Sequence, residues 1–276
     1  MWAQARANGS RAPRRGIAQK VQTRDGPTQP GPGHRGPAQH TPGASYNPRM
    51  IPPSGYPERL RETLATLDIR NPSRPGDRMA SVMLPILDED AGSGEKHEPG
   101  LLLIVRTDRG RHGGQVALPG GNPEDGDATL WDVAVRETRE EVGLAVEPDL
   151  LGTLGEFNTF VSRYRVLVHV AQIASGQKWV PQPDEVDAIL RIPVRVLADL
   201  YADLPHVDDV WQLPIEAGFE LDPSPFLVAG TLRPRGRGHR LETRRGTKEM
   251  PYIWGLTARI VYTFLREAWL PAAGAS

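Results

Sequence analysis

Glu137, Glu140 and Glu141 fall close together in the stretch Leu118 to Leu144, LPGGNPEDGDATLWDVAVRETREEVGL. If Trp131 to Val142 is a helix turning about 100° per residue, Trp131, Val135, Thr138 and Val142 share one face and the three glutamates crowd the opposite, exposed one. Like charges at these spacings repel. A hard cation among them would remove the conflict, because Mg²⁺ takes oxygen ligands and favours a few carboxylates together with substrate phosphates. The competing reading is an ordinary solvated acidic face. Glu137 and Glu141, one turn apart, are the first candidates as metal ligands. Glu140 either completes the metal site or accepts a proton from an attacking water. Arg136 flanks the face and can lock a glutamate in a bidentate ion pair. The glycine-rich turn before the helix, Gly120 and Gly121, leaves backbone groups open to a phosphate or a cation. The chemistry implied is attack of water on a diphosphate assisted by Mg²⁺ or Mn²⁺, with Glu140, Glu141 and Arg136 as catalytic residues and Glu137, Glu140 and Glu141 as the metal set.

Strands and loops have to hold this helix in place. Pro57 followed by Glu58 to Leu67 predicts a short amphipathic helix, with Leu60, Leu64 and Leu67 on one stripe. Ala80 to Leu87 reads as a strand, and Leu101 to Val105 as a strand buried on both faces. Gln115 to Leu118 is a short strand that delivers the chain to Gly120, and Gly143 is placed to end the acidic helix. Further strands are expected at Leu150 to Phe160, Tyr164 to Ile173 and Val186 to Ile192, followed by a helix over Pro193 to Leu200. Val210 to Leu213 and Pro225 to Ala229 are weaker strand candidates. A mostly apolar helix beginning about Leu256 closes the chain. The pattern implies an α+β fold, a mixed sheet sandwiched between helices.

The 276 residues carry a formal net charge of -1, so no basic excess points to nucleic acid. The absence of cysteine removes disulfides and thiolate chemistry and fits a reducing, cytoplasmic setting. No apolar run approaches the roughly 18 residues of a membrane span. Residues 1–48 are rich in Arg, Pro and Gly without apolar periodicity, and read as a disordered tail. Early arginines give them a loose likeness to an organellar transit peptide; a translation start nearer Met50 is the alternative.

Arg136-Glu137-Thr138-Arg139-Glu140-Glu141-Val142-Gly143-Leu144, preceded by Gly120-Gly121, resembles the signature of the Nudix hydrolases, which cleave nucleoside diphosphates linked to another group. Thr138 stands at an apolar position of that pattern, where its methyl can partly serve. The first half of the box departs from the common spacing, with Asn122 and Ala128 where a glycine and a glutamate are usual. The longer acidic loop Pro123-Glu124-Asp125-Gly126-Asp127 is similar to that of the coenzyme A pyrophosphatase subgroup. The segment His112 to Gly121 is also similar to that subgroup, although the approach from Arg106 is one residue shorter and Thr107 and Leu118 replace the usual residues. The stretches Pro181 to Val186 and Ile253 to Ala258 resemble later landmarks, whereas a Thr-Pro-Val step is not seen at Val166-Leu167-Val168.

The resemblance implies a Nudix-type α/β/α sandwich over residues 56–272 and a small-molecule nucleotide substrate. It further implies hydrolysis of coenzyme A or its derivatives to 4′-phosphopantetheine and adenosine 3′,5′-bisphosphate, with a homodimer as a possible assembly. It places His112, Gly120 and Gly121 on the substrate side, and the basic stretch offers Arg235 and Arg237 as anchors for the phosphates of coenzyme A. Asp125 and Asp127 are either helix-capping acids or outer-sphere metal residues, and Glu185 could assist the attacking water. Trp131 and Trp254 read as core residues. Rival functions are hydrolysis of ADP-ribose, a dinucleotide or a nucleotide sugar, and nucleotide sensing without cleavage. Deleting residues 1–48 is expected to leave the turnover rate unchanged in a steady-state assay, whereas a large loss would make that segment part of the active site.

Overall fold

The structure, a computed structural model, describes residues 55–70, 76–89, 98–108, 113–159, 163–221, 223–232 and 253–274. Residues 1–48, His112, Arg235 and Arg237 lie outside the described residues.

Helix α1 (Tyr56–Thr66) has a proline in its first turn and buries Tyr56, Leu60 and Leu64. Strand β1 (Arg78–Glu89) runs antiparallel to β2 (Glu98–Arg106), whose interior residues are all buried, as an uninterrupted apolar run requires. Two short strands follow, β3 (Val116–Ala117) and β4 (Gly120–Gly121), and then helix α2 (Leu130–Val142). Next come β5 (Asp149–Asn158), β6 (Tyr164–Ile173), β7 (Val186–Pro193) and helix α3 (Val194–Tyr201). The chain continues through β8 (Gly218–Phe219), β9 (Leu227–Gly230) and β10 (Ile253–Trp254) to α4 (Gly255–Thr263). A π-helical turn, Phe264–Trp269, leads from α4 into a last short helix, Leu270–Ala272, where Pro271 has no amide hydrogen to continue the ladder.

Among the described residues the main sheet has the order β5-β6-β1-β2-β7-β9, with β3 paired to β2 and β4 to β1. It is mixed, because β1 pairs parallel with β6 and antiparallel with β2. Side-chain alternation divides the core in two. On one face Leu84, Ile86, Leu103 and Val168 pack with α1, α3 and α4; on the other Met83, Leu87, Leu102 and Ile104 pack with Ala134, Val135 and Val142 of α2. The expected α/β/α sandwich with a mixed central sheet is thus present.

Three local expectations need correction. Gly120 and Gly121 form a short strand on Ser81 and Val82 of β1 where a turn was expected. Val210–Gln212 is a 3-10 turn capped by the Asp209 carboxylate, not a strand. Its polar cap offers an alternative to sheet pairing that apolar content alone does not reveal. Trp131 and Trp254 are half-buried, not core, and Trp131 lies at the outer end of α2 with its ring edge-on to His169 of β6.

His169 is only 4% exposed beneath that tryptophan. Burial pushes its pKa down to about 4, only partly offset by the Leu130 backbone. In the unfolded chain the imidazole takes up a proton near pH 6.5, so between about pH 6.5 and 4 the unfolded state binds more protons and stability falls as pH falls. The contribution is on the order of 3 kcal/mol across that window. Chemical denaturation from pH 7 to pH 4.5 should show this decline, and the His169→Leu variant should show a flatter profile.

Candidate functional site

The acidic helix is fixed at both ends by its own sequence. Thr129 accepts from the Asp132 amide while the Asp132 carboxylate accepts from the Thr129 amide, a reciprocal capping box. Gly143 ends the helix in the left-handed conformation, with φ 73°, a geometry that costs glycine no steric clash. Capping therefore falls to neither Asp125 nor Asp127. Thr138 is fully buried, and its hydroxyl donates to the Ala134 carbonyl at 2.6 Å, which frees its methyl to serve as the apolar group of that position.

The helix is buried more deeply than a single acidic outer face would allow. Glu141 is only 2% exposed, whereas the Glu140 side chain is 58% exposed. The expectation that all three glutamates share an exposed face is corrected for Glu141, which sits at the border of the apolar stripe. Its carboxylate accepts from the Gly120 amide at 2.9 Å and from Arg106 Nη1 at 3.3 Å. These two donors make burial of a carboxylate tolerable. Burial nevertheless dominates and pushes the Glu141 pKa up to about 7, against the Gly120 amide and Arg106, with Glu137 and Glu185 adding repulsion. Glu137 is also held above the ordinary carboxylate range, first by burial and then, against Arg136, by the neighbouring Glu140 and Glu185.

The glycines are demanded by close approach. A Cβ on Gly121 would overlap the Glu137 carboxylate, and one on Gly120, where φ is 148°, would overlap Val82 and the Ser81 carbonyl. Strand β4 thus lies between β1 and the glutamate side chains because it carries no side chains of its own.

Arg136 is fixed from the acidic loop. Its Nε and Nη2 donate to the two carboxylate oxygens of Asp127 at 3.1 and 3.0 Å, and Nη2 also reaches the Asn122 carbonyl at 3.0 Å. Nη1 donates to Glu137 at 3.1 Å and to Glu140 at 3.3 Å. The bidentate partner is therefore Asp127 and not a glutamate. Arg136 holds the Asp127 carboxyl below its ordinary range.

Glu185 reaches the group through backbone contacts that its neighbourhood in sequence does not announce. The Gln182 amide donates to the Glu141 carbonyl at 3.0 Å, and the Val180 amide to the Val142 carbonyl at 3.0 Å, so this loop docks on the end of α2. Thr107, after β2, binds the other side, its hydroxyl donating to the Asp184 carbonyl and its amide to that of Glu185. Arg106 was missed as a site residue by sequence reasoning; its one signal is that it is the first charged side chain after the buried run of β2.

Among the described residues no three Asp, Glu or His side chains are gathered tightly enough to enclose an ion as they stand. Arg136 bridges Glu137 and Glu140, and Glu141 faces Gly120 and Arg106. The donor chemistry still fits a hard divalent cation. The carboxylates are all-oxygen donors that repel one another, and Glu137 and Glu141 lie against the glycine strand, Glu137 beside Gly121 and Glu141 on the Gly120 amide.

Residues 77–210 match the NUDIX domain family. The chain is 29% identical over 186 residues to the uncharacterized Nudix hydrolase NudL of Salmonella paratyphi B, covering 67% of this chain and 79% of that protein, and equally similar to NudL of Salmonella newport. Among solved structures, the RenU Nudix hydrolase from M. smegmatis aligns with 48% of this chain and 91% of its own, at 20% identity and a TM-score of 0.36. The NUDIX domain of Shewanella oneidensis NrtR, solved with ADP ribose, aligns with 55% of this chain and 86% of its own, at 20% identity and a TM-score of 0.37.

Because two hydrogen bonds to Asp127 fix the Arg136 guanidinium beside the glutamates, Asp127→Asn should free it to compete with a cation. The Mn²⁺ concentration giving half-maximal turnover should rise about tenfold, within the range typical of outer-shell partners. An unchanged Mn²⁺ dependence would show that Asp127 has no such role.

Proposed function

We propose that this chain, whose residues 77–210 match the NUDIX domain family, is a Nudix pyrophosphohydrolase and that its substrate is coenzyme A or a derivative of it, cleaved at the pyrophosphate bond. The hydrolase unit spans residues 56–272. The observation that supports the chemistry is Glu141 buried between the Gly120 amide and Arg106, with Glu137 against Gly121 and Arg136 bridging Glu137 and Glu140. What supports the coenzyme A reading is the likeness of His112 to Gly121, and of the acidic loop to Asp127, to the coenzyme A pyrophosphatases.

Glu137, Glu140 and Glu141 would hold a Mg²⁺ or Mn²⁺ ion. Such a cation, when bound, neutralises charge on the diphosphate and makes water more acidic. Glu141 is oriented from two sides, so its carboxylate pays little reorganisation on engaging a ligand. Glu140, the most exposed of the three, would take the proton of the attacking water. Arg136, anchored by Asp127, keeps one nitrogen on Glu137 and Glu140 and holds them in register. Gly120 and Gly121 let the diphosphate approach the backbone, and His112, Arg235 and Arg237 are assigned to the substrate side. The products are 4′-phosphopantetheine and adenosine 3′,5′-bisphosphate.

Purified protein incubated with Mg²⁺ or Mn²⁺ and coenzyme A, dephospho-coenzyme A, ADP-ribose, NADH and diadenosine polyphosphates should release those two products from coenzyme A in preference to cleaving the others. A strong preference for ADP-ribose would overturn the substrate, and no turnover of any compound would favour a nucleotide sensor. Glu141→Gln should lower turnover by more than about 100-fold, beyond the 10–100-fold typical of outer-shell partners, with the circular dichroism spectrum retained. Activity at the wild-type level in that variant would refute the ligand assignment.

A further inference from the structure

A cavity of about 450 Å³ lies at the β5 side of the sheet, between residues 67–70 and the side chains of Thr153, Glu156, Arg165 and Leu167. The sheet register relates it to the carboxylate site. Ser81 of β1 is opposite Gly121 of β4 on one side and opposite Leu167 of β6 on the other. His169 meets the ring of Trp131 of α2 edge-on, so alternation along β6 puts Leu167 and Arg165 on the same face of the sheet as α2. Glu156 and Thr153 of β5, directly opposite Leu167 and His169, share that face. Leu167 is thus two strand spacings, about 10 Å, from Gly121 and the Glu137 carboxylate above it.

The lining has a definite chemical character. Arg165 is ion-paired with Glu156, and Arg70 with Asp68, so the two cations and two carboxylates balance. The Arg165 Nε is buried and has no acceptor among the described residues. Leu167, with Leu67 and Ile69, gives an apolar surface beside these donors and acceptors. A balanced, hydrogen-bonding wall with an apolar floor does not select a further phosphate. It suits a flat or extended neutral group with both donors and acceptors.

We propose that this cavity receives the part of the substrate beyond the scissile diphosphate and recognises it through a neutral group bearing donors and acceptors, a base edge or an amide chain. The inference rests on the diphosphate reading of the carboxylate site. With the diphosphate at Gly120 and Gly121, a nucleoside or an extended chain attached to it spans the gap to Leu167. Arg165 then acts in specificity through its guanidinium, which Glu156 fixes in the cavity wall.

The test is steady-state kinetics of the full-length protein with Mn²⁺ and its preferred substrate from the panel above. Leu167→Trp, which fills the cavity, should raise KM about tenfold or more and leave kcat within about threefold, the pattern of lost ground-state binding. Arg70→Ala, a change at an exposed side chain that threatens no packing, should raise KM about threefold. Product inhibition identifies the occupant: whichever of adenosine 3′,5′-bisphosphate and 4′-phosphopantetheine ceases to compete in Leu167→Trp is the half that binds there. Unchanged KM in both variants, or a fall in kcat alone, would overturn the cavity assignment while leaving the hydrolase reading intact. If the wild type cleaves nothing, calorimetric titration with coenzyme A and with ADP-ribose decides. Binding weakened by Leu167→Trp supports the cavity, and equal binding to both proteins rejects it.

Discussion

The Glu141 carboxylate accepts from the Gly120 amide and from Arg106, and this buried contact sets the spacing of everything around it. It joins α2 to β4 and to the end of β2, three elements distant in sequence. Because Glu141 is buried, α2 must lie close against the sheet, which is what Thr138, Val135 and Ala134 achieve over Met83. Because α2 lies so close, Gly121 cannot carry a side chain without overlapping Glu137, while one at Gly120 would overlap Ser81 and Val82 of β1. Burial of the carboxylates is the cost of the arrangement, and with a smaller contribution from their mutual repulsion it raises the pKa values of Glu137 and Glu141. An isolated ionised carboxylate in such a place would be strongly disfavoured, so the fold supplies two donors to one glutamate and an anchored arginine to the others.

That anchoring depends on a loop whose role was hidden by its composition. Pro123 to Asp127 is acidic and exposed over most of its length, yet Asp127 closes a bidentate pair with Arg136 and also accepts from the Glu124 amide. The loop is thereby folded on itself and onto the helix. The segment ending at Glu185 is fastened in a comparable way, by backbone contacts to the last turn of α2 and to Thr107. Two loops thus frame the carboxylates from opposite ends of one helix.

The sequence made much of this legible because local signals coincided with tertiary ones. The run from Leu101 to Val105 has no polar residue to give it an outer face, and β2 is indeed covered on both sides. Gly143 ends α2 as expected, and Tyr164 to Ile173 forms a strand with the expected bounds. The failures have a common cause. A helical wheel shows which residues share a face but not how deep the helix is set, so Glu141 was placed with Glu140 on an exposed face. Spacing within one helix likewise favoured a glutamate as the bidentate partner of Arg136, when the partner comes from the preceding loop. Gly120 and Gly121 read as a turn because pairing with Ser81 and Val82 is a long-range property. The contact of Arg106 with Glu141 and the docking of the loop that carries Glu185 are long-range in the same way.

If the three glutamates of α2 form a divalent-cation site, they should bind the metal before any substrate is present. Electron paramagnetic resonance can count free against bound Mn²⁺ in the wild type and in the Glu137→Gln, Glu140→Gln, Glu141→Gln triple variant. The account predicts saturable Mn²⁺ binding in the wild type that is lost in a triple variant retaining its helical circular dichroism. Equal binding by both proteins would contradict it.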